Sequence, residues 1–366
     1  MPFPQFDRTK LNVKPLSARE NKVVIENDHI PISQEPKNKS KEFIDTVAQT
    51  VDKIKYAHSI NAPVMLTMGA HTIKNGMAPT LIKLMEDGWL THLATNGAGI
   101  IHDWEFAFQG LSSEDVRANV DKGQFGIWEE TGKYLNLAII IGAFEGKGYG
   151  ESVGSMIENE GVNIPSESEI NEIVKNYKND YEKSAAAIDL LDIIKKFEIS
   201  SGWMEIKFPF KKYCVQAAAY RLGIPFTSHP MIGHDIIYTH PINHGAAIGR
   251  AALRDFLTFA HSVNKLENGV YMSIGSAVMS PMIFEKSLSM SQNLHIQNGG
   301  HINNHYMLIV DLADATWDWS QGEPPMTNPA YYLRYLKTFN RMGGTMKYLS
   351  ADNRDFLLAL YQNLNK

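Results

Sequence analysis

Cysteine is almost absent from this chain of 366 residues, which contains only Cys214. A single thiol excludes an internal disulfide and any zinc site built from several cysteines. The sequence also lacks an apolar run of about 18 residues, the length that a membrane-spanning helix needs. Its first residues, MPFPQFDRTKLNVKP, lack the apolar core and cleavage pattern of a secretory signal. We therefore expect a cytoplasmic protein with no membrane contact.

Positive charge is also scarce. The 35 Lys and Arg residues are outnumbered by 40 Asp and Glu residues, which gives a formal net charge of −5, and the basic residues form no dense stripe. Surfaces that bind nucleic acids need such a stripe to neutralise phosphates, so we expect no nucleic-acid partner. What the chain does have is hydrophobic content, 44%, enough to build a large core.

The first 40 residues are polar and irregular, and prolines interrupt them at positions 2, 4, 15, 31 and 36. We interpret residues 1–40 as an N-terminal arm that wraps the body or a neighbouring subunit, with a partly disordered tail as the alternative. Residues 41–366 are assigned to one domain with a helical insertion at about 104–200. That insertion could instead be a separate helical subdomain.

From residue 41 onward, short apolar runs alternate with segments of helical periodicity. The predicted strands are PVMLTM, THLAT, IPFTS, GVYMSI, HYMLIV and TMKYL, and residues 103–198 are mostly helical with breaks at Gly110, Gly123, Gly142 and GVNIPS. Strands that are apolar throughout, rather than at every second position, are typical of a parallel sheet covered on both faces. The predicted fold class is α/β, with a doubly wound, mostly parallel sheet and helices on both faces.

The segments that follow the strands are the candidate site, because ligands bind such sheets at the carboxyl ends of the strands. Glycine-bearing turns that lead into helices can offer backbone N–H groups to phosphates, although tight turns need glycine for structural reasons as well. The turns GAHTIKNG and TNGAG do not match GxGxxG in full. An aspartate at a strand end can accept hydrogen bonds from ribose hydroxyls. The candidate cofactor-binding residues are Gly69, Asn75, Thr95, Asn96, Gly97, Ala98, Gly99, Gly275, Ser276 and Asp311.

Histidines are concentrated in residues 228–245, SHPMIGHDIIYTHPINHG. They could ligate a metal ion, transfer protons or form hydrogen bonds at a polar pocket. The spacing matches no specific metal motif, and HExxH is absent, so we predict no metal. A second candidate pair, His102 and Asp103, lies just after the TNGAG turn. A histidine can move protons near neutral pH, but His102 could instead cap the helix or bond a carbonyl. The candidate catalytic residues are His102, Asp103, His234 and Asp235.

Five ordered motifs between residues 42 and 350 resemble the deoxyhypusine synthase family, and its bacterial deoxyhypusine-synthase-like branch above all. They are GAHTIKNGMAPTLIKLMEDG, THLATNGAGIIHDWE, LGIPFTSHPMIGHDII, GSAVMSPMIFEKS and HYMLIVDLADATWDW. The resemblance implies a Rossmann-like fold that binds NAD, and a homotetramer with sites between subunits. It also implies transfer of an aminobutyl group from spermidine. Family members often carry acidic residues where this chain has His102 and Asp103.

The chain departs from the family at the catalytic lysine, which carries the aminobutyl group as an imine in a stretch like GGGVVKHH. The matching stretch here is GSAVMSPM, where Ser280 replaces the lysine, and a serine cannot form an imine. We read Ser280 and Pro281 as the N-cap and first residue of a helix. Lys286 lies six residues further on, about 9 Å along a helix, too far to substitute.

We therefore expect an NAD-dependent, transferase-like enzyme that is not a true deoxyhypusine synthase and acts on a small polar, polyamine-like substrate. Two alternatives remain. One is a metal-dependent hydrolase or lyase that uses the histidines between His229 and His244. The other is a binding protein that kept the fold and lost catalysis.

Overall fold

The structure is a computed structural model that describes residues 3–366, so the first two residues of the predicted arm lie outside the described chain. Its helices are α1 (Ile25–Asp28), α2 (Lys41–Ser59), α3 (Ala70–Lys74), α4 (Ala78–Glu86), α5 (Gly97–Gln109), α6 (Val116–Asp121), α7 (Glu129–Glu145), α8 (Tyr149–Asn159), α9 (Glu167–Lys175), α10 (Tyr181–Lys196), α11 (Val215–Leu222), α12 (Gly245–Val263), α13 (Met279–Gln297), α14 (Arg334–Asn340) and α15 (Asn353–Leu364). Its strands are β1 (Asn21–Val24), β2 (Val64–Met68), β3 (His92–Thr95), β4 (Leu111–Glu114), β5 (Gly161–Ile164), β6 (Gly202–Glu205), β7 (Phe226–Ser228), β8 (Val270–Ile274), β9 (Tyr306–Asp311) and β10 (Thr345–Ser350). Over the described residues, no helix has both the length and the apolar character needed to cross a membrane.

Six of these strands form one sheet in the order β10-β9-β8-β2-β3-β7, and every neighbouring pair is parallel. When only these strands are counted along the chain and read from β7, the order is 3-2-1-4-5-6. This is the order of the doubly wound Rossmann fold, so the predicted fold class is confirmed. The order reverses between β2 and β8, which makes their carboxyl ends the topological switch point.

The sheet is held between helices by apolar side chains. Every residue of β2 and of β8 is buried, as the continuous apolar runs predict. The ring of Tyr271 in β8 stacks on Phe284 of α13 with centroids 4.2 Å apart, and Phe339 of α14 joins them. Burial of such rings contributes about 2–3 kcal/mol each. On α2, Ser40 caps the amide of Phe43, and a buried stripe of that helix faces inward.

The chain divides into two compact units. The sheet unit comprises residues 28–99, 218–229 and 256–366, and the helical unit comprises residues 3–27, 100–217 and 230–255. Much of the predicted arm belongs to the helical unit, where β1 pairs antiparallel with β4. The division of residues 41–366 into one domain with an insertion at about 104–200 stays a prediction.

The predicted break at Gly142 is wrong, because α7 continues through this residue to Glu145. A Cβ added to Gly142 would lie 1.8 Å from the Oγ of Ser152 on α8. Glycine is therefore needed here for close packing of α7 on α8, and its conformational freedom plays no part. The GVNIPS stretch does interrupt the helices, since it begins with β5, which pairs with β6.

The predicted cap at Ser280 is also wrong. Helix α13 begins at Met279, with Val278 as its N-cap residue. The Oγ of Ser276 accepts a hydrogen bond from the amide of Ser280 at 3.2 Å, so Ser276 satisfies that donor. Pro281 is thus the third residue of the helix, where its missing N–H costs nothing because the first-turn amides have no partner within the helix.

Candidate functional site

At the switch point the ends of β2 and β8 are in direct contact. The amide of Gly69 donates to the carbonyl of Ile274 at 3.1 Å, and a Cβ on Gly69 would lie 2.1 Å from the carbonyl oxygen of Gly275. Gly275 has φ +57°, and a Cβ there would meet no heavy atom within 4 Å. Glycine at 69 therefore lets the strand ends touch, and glycine at 275 leaves bare backbone beside open space. This geometry fits a ligand that approaches the backbone closely, as a dinucleotide does at a Rossmann switch point.

Asp311 lies next to this point. The amide of Gly275 donates to the carbonyl of Val310 at 2.9 Å, which places the end of β9 beside the end of β8. Asp311 is half-buried, and its Oδ1 accepts from the amide of Leu312 at 2.7 Å. The carboxylate is thus held at the same edge of the sheet as the bare backbone of Gly275.

The turn after β3 is held by its own side chains. Thr95 is buried, and its hydroxyl donates to the carbonyl of Met68 at 3.0 Å. The Oδ1 of Asn96 accepts from the amide of Gly99 at 2.9 Å, and a Cβ on Gly99 would lie 2.1 Å from the Oγ1 of Thr95. These contacts are structural, and cofactor binding by this turn stays a prediction. The other predicted residues of the turn, Gly97 and Ala98, begin α5.

Two further cofactor candidates also have structural contacts. Asn75 ends α3, and its Nδ2 donates to the Oδ1 of Asn353 at 3.0 Å. Ser276 is buried and caps the amide of Ser280. Their contribution to cofactor binding stays a prediction.

Asp103, in the helical unit, is buried at the start of α11. Its Oδ1 accepts from the amide of Val215 at 3.1 Å, while Oδ2 accepts from the amide and side chain of Gln216 at 2.9 and 3.1 Å and from Cys214 Sγ at 3.0 Å. Burial raises the pKa of Asp103, and these hydrogen bonds oppose that rise. The carboxylate therefore acts as a helix cap, and a catalytic role for it stays a prediction.

His102 lies one residue before Asp103 but contacts a different network. Its Nδ1 is 2.7 Å from the Oγ of Ser112, and Ser112 in turn donates to Glu105 Oε2 at 2.6 Å. Glu105 Oε1 accepts from Arg19 at 2.6 Å. The one sequence signal for this network is the placement of Glu105 three residues after His102, on the same face of a helix. Arg19, which is 86 positions away from Glu105, carries no such signal.

Asp235 belongs to a second network of the helical unit. Burial raises the pKa of Asp235 to about 6, and its Oδ2 is buried without a hydrogen-bond partner among the described residues. The hydroxyls of Tyr149 and Tyr238 are buried in the same way. Burial, with a further contribution from the charge of Asp235, raises the pKa of both phenols. We name these three residues the Asp235 cluster; neither tyrosine was identified from the sequence.

Unpaired polar groups inside a protein cost free energy unless a water or ligand satisfies them. The Asp235 cluster offers three such groups to a buried water or a ligand. His234, the neighbour of Asp235, is exposed. The two predicted catalytic pairs thus lie in separate networks of the helical unit: Asp103 binds Cys214, Val215 and Gln216, and Asp235 interacts with tyrosines.

His229 is a core residue of the sheet unit. Its Nε2 lies 3.0 Å from the hydroxyl of Thr227, which is also 3.0 Å from the Nε2 of His92. Both imidazoles pack edge-on against Phe259. Burial lowers the pKa of each histidine to about 3, so both are neutral at physiological pH.

The other histidines of the 228–245 segment have their own partners. His240 Nε2 lies 3.2 Å from Glu129, and His244 Nε2 lies 3.8 Å from Asp189. Within residues 3–366, no three His, Cys, Asp or Glu side chains converge in a metal-binding group. The histidines that lie close together in the sequence therefore contact different partners in the structure.

No protein-family model and no curated protein matches the sequence. Solved structures match at low similarity. AgrE in its ternary complex with ornithine and NAD+ is 14% identical, with a TM-score of 0.43, and covers 89% of this chain and 34% of its own. A conserved putative LOR/SDH protein from Methanococcus maripaludis S2 is 12% identical, with a TM-score of 0.44 and coverage of 92% and 70%. A putative deoxyhypusine synthase from Entamoeba histolytica is 10% identical, with a TM-score of 0.41 and 89% coverage of both chains.

This chain spans about a third of the length of the AgrE chain that it matches. With identities of 10–14% and TM-scores below 0.5, these likenesses assign neither a family nor an activity to it.

Proposed function

We propose that the protein is an enzyme that binds NAD at the switch point between β2 and β8 and acts on a small polar substrate that carries an amine. The observation that supports this most directly is the strand order 3-2-1-4-5-6, with bare glycine backbone at Gly275 where that order reverses. The resemblance of the strand-end motifs to the deoxyhypusine synthase family supports the same cofactor.

Gly69, Gly275 and Asp311 are the residues that we propose to hold the cofactor. Gly275 admits the ligand to the backbone because no side chain stands in front of it. Asp311 orients the ligand, since a carboxylate oxygen can accept hydrogen bonds from ribose hydroxyls. NAD, when bound, supplies a hydride acceptor.

The Asp235 cluster is the proposed binding site for the substrate amine. Above about pH 6, Asp235 carries a negative charge, and its Oδ2 has no hydrogen-bond partner among the described residues. A buried carboxylate in this state attracts an ammonium group, and the hydroxyls of Tyr149 and Tyr238 can hydrogen-bond to it. His102 and His234 are the proposed proton-transfer groups.

Deoxyhypusine synthesis itself is not part of the proposal. Ser280 is fully buried, and its Oγ lies 2.8 Å from the hydroxyl of Tyr271. It is therefore a core residue of the sheet unit, and it has no amine with which to form an imine. The transferase-like class and the homotetramer remain parts of the proposal that rest on the family resemblance.

The test is the melting temperature of the protein with and without NAD. A ligand that binds only the native state stabilises it, by about 2.7 kcal/mol at a hundred times its Kd. We expect millimolar NAD to raise the melting temperature by a few degrees, and Asp311→Asn to reduce that rise. Asp314→Asn, which neutralises an exposed aspartate three residues further along, is the matched control and should respond like the wild type. No shift in the folded wild-type protein would contradict the proposal.

A further inference from the structure

A hydrogen-bonded chain of four side chains runs from the interior of the helical unit to His102. Arg19 NH1 lies 2.6 Å from Glu105 Oε1, Glu105 Oε2 lies 2.6 Å from Ser112 Oγ, and Ser112 Oγ lies 2.7 Å from His102 Nδ1. The side chains of Arg19 and Glu105 are each 1% exposed, whereas that of His102 is 20% exposed. The chain thus links a buried ion pair to a histidine that reaches solvent.

The chemistry of the four groups sets the direction of each hydrogen bond. Arg19 can only donate, and an ionised Glu105 can only accept. The hydroxyl proton of Ser112 therefore goes to Glu105, and the oxygen of Ser112 is left to accept from His102. Nδ1 of His102 must then carry a proton. In the neutral imidazole this leaves the lone pair on Nε2.

We infer that Arg19, Glu105 and Ser112 are positioning residues that hold neutral His102 in the Nδ1–H tautomer, with Nε2 as its basic nitrogen. The tautomer follows from the hydrogen-bond chain alone. The use of Nε2 as a general base in catalysis rests on the proposed function.

Arg19, in the N-terminal segment, supplies the one cation of this hydrogen-bonded chain of four side chains. Arg19 Nε also donates to Asn21 at 2.9 Å, and its guanidinium lies 5.9 Å from the ring of Trp128. The hydroxyl of Thr131 lies 3.4 Å from Glu105 Oε1. A buried carboxylate is costly without a partner, and Arg19 supplies that partner for Glu105 at 2.6 Å.

The experiment is long-range 15N–1H correlation spectroscopy of the histidine rings, which distinguishes the two neutral tautomers and needs neither cofactor nor substrate. It is run on protein labelled at histidine, at about pH 8, where an ordinary histidine is neutral. His102→Gln identifies the His102 signals among those of the 13 histidines. We expect the Nδ1–H pattern in the wild type, and a shift toward Nε2–H in Ser112→Ala, which removes the acceptor.

Glu105→Gln provides a second test, which reverses the hydrogen bonds and keeps the Ser112 hydroxyl. Its amide oxygen should face Arg19 and its NH2 group should donate to Ser112, so that the Ser112 hydroxyl donates to His102 and the ring changes to Nε2–H. Ser112→Thr keeps the hydroxyl and should keep the wild-type pattern. Ser113→Ala is the matched control, since Ser113 is the neighbouring buried serine and its hydroxyl makes no hydrogen bond within residues 3–366.

An Nε2–H pattern in the wild type would overturn the inference, and so would an unchanged pattern in both folded Ser112→Ala and folded Glu105→Gln. The proposed function fails separately, through the absence of an NAD-dependent melting shift. The tautomer can therefore be confirmed while the enzymatic role is rejected, and the reverse.

Discussion

At the scale of single residues, the burial of Asp235 makes the stability of the folded protein depend on pH. Its pKa is about 6 in the folded protein and about 4 in an unfolded chain. The folded state therefore holds this proton more tightly than the unfolded state does. Stability falls as pH rises from about 4 to about 6, and the cost of the buried charge stays constant above that range.

We expect Asp235→Asn to raise the free energy of unfolding by about 1–3 kcal/mol at pH 7.5, and to change it little below about pH 4, where Asp235 is protonated in both states. Urea denaturation at the two pH values measures this. Asp314→Asn, which removes an exposed charge, should change stability little at either pH. A stabilisation by Asp235→Asn that is equal at both pH values would show that charge burial is not its cause.

Ser280 gives a second prediction at this scale. We expect no borohydride-trappable adduct when the wild-type protein is incubated with spermidine and NAD. Ser280→Lys should not create one, because position 280 is fully buried against Tyr271 and an ammonium group there would be desolvated. Intact-protein mass spectrometry is the measurement. A covalent adduct on any lysine of the wild type would contradict this prediction and support true deoxyhypusine synthase activity.

At the scale of elements, glycines within helices have different effects according to what faces them. Gly142 on α7 lies against Ser152, whereas a Cβ on Gly249 of α12 would meet no atom within 4 Å. Gly142→Ala must push α8 away and should cost about 1–3 kcal/mol. Gly249→Ala should stabilise the protein by about 0.5–1 kcal/mol, because alanine has the higher helix propensity.

Thermal or urea unfolding of the two variants provides the comparison, and each serves as the control for the other. Equal effects of the two substitutions would mean that α7 and α8 do not pack as closely as the structure indicates.

At the scale of the whole molecule, the oligomeric state is the property that the family resemblance predicts and that a single chain leaves untested. We expect light scattering at micromolar concentration to give about four times the chain mass of 41.1 kDa, since closed dihedral assemblies are common among soluble homo-oligomers. A monomeric mass would contradict the tetramer and the model of sites shared between subunits. It would not contradict the NAD site proposed at the switch point or the hydrogen-bond chain of His102.

The sheet could be predicted because β2, β8 and β9 are apolar at almost every position, and because turn residues and helical periodicity separate the strands. β2, for example, is buried at all five positions, and PVMLTM shows this directly. β1, β4, β5 and β6 were missed. They are short, they pair in twos outside the main sheet, and their residues show no continuous apolar run.

The candidate site also has features that the sequence predicts and features that it does not. The sequence by itself determined which residues follow the strands, and hence that Gly69, Gly275 and Asp311 stand at the carboxyl edge of a parallel sheet. Only the tertiary structure decided that Asp103 caps α11, that the clustered histidines have separate partners, and that Arg19 reaches Glu105. The physical reason is the distance along the chain between the residues that determine each feature. Strand ends follow from local pattern, whereas burial and hydrogen-bond partners depend on residues distant in the chain, for which no spacing rule exists.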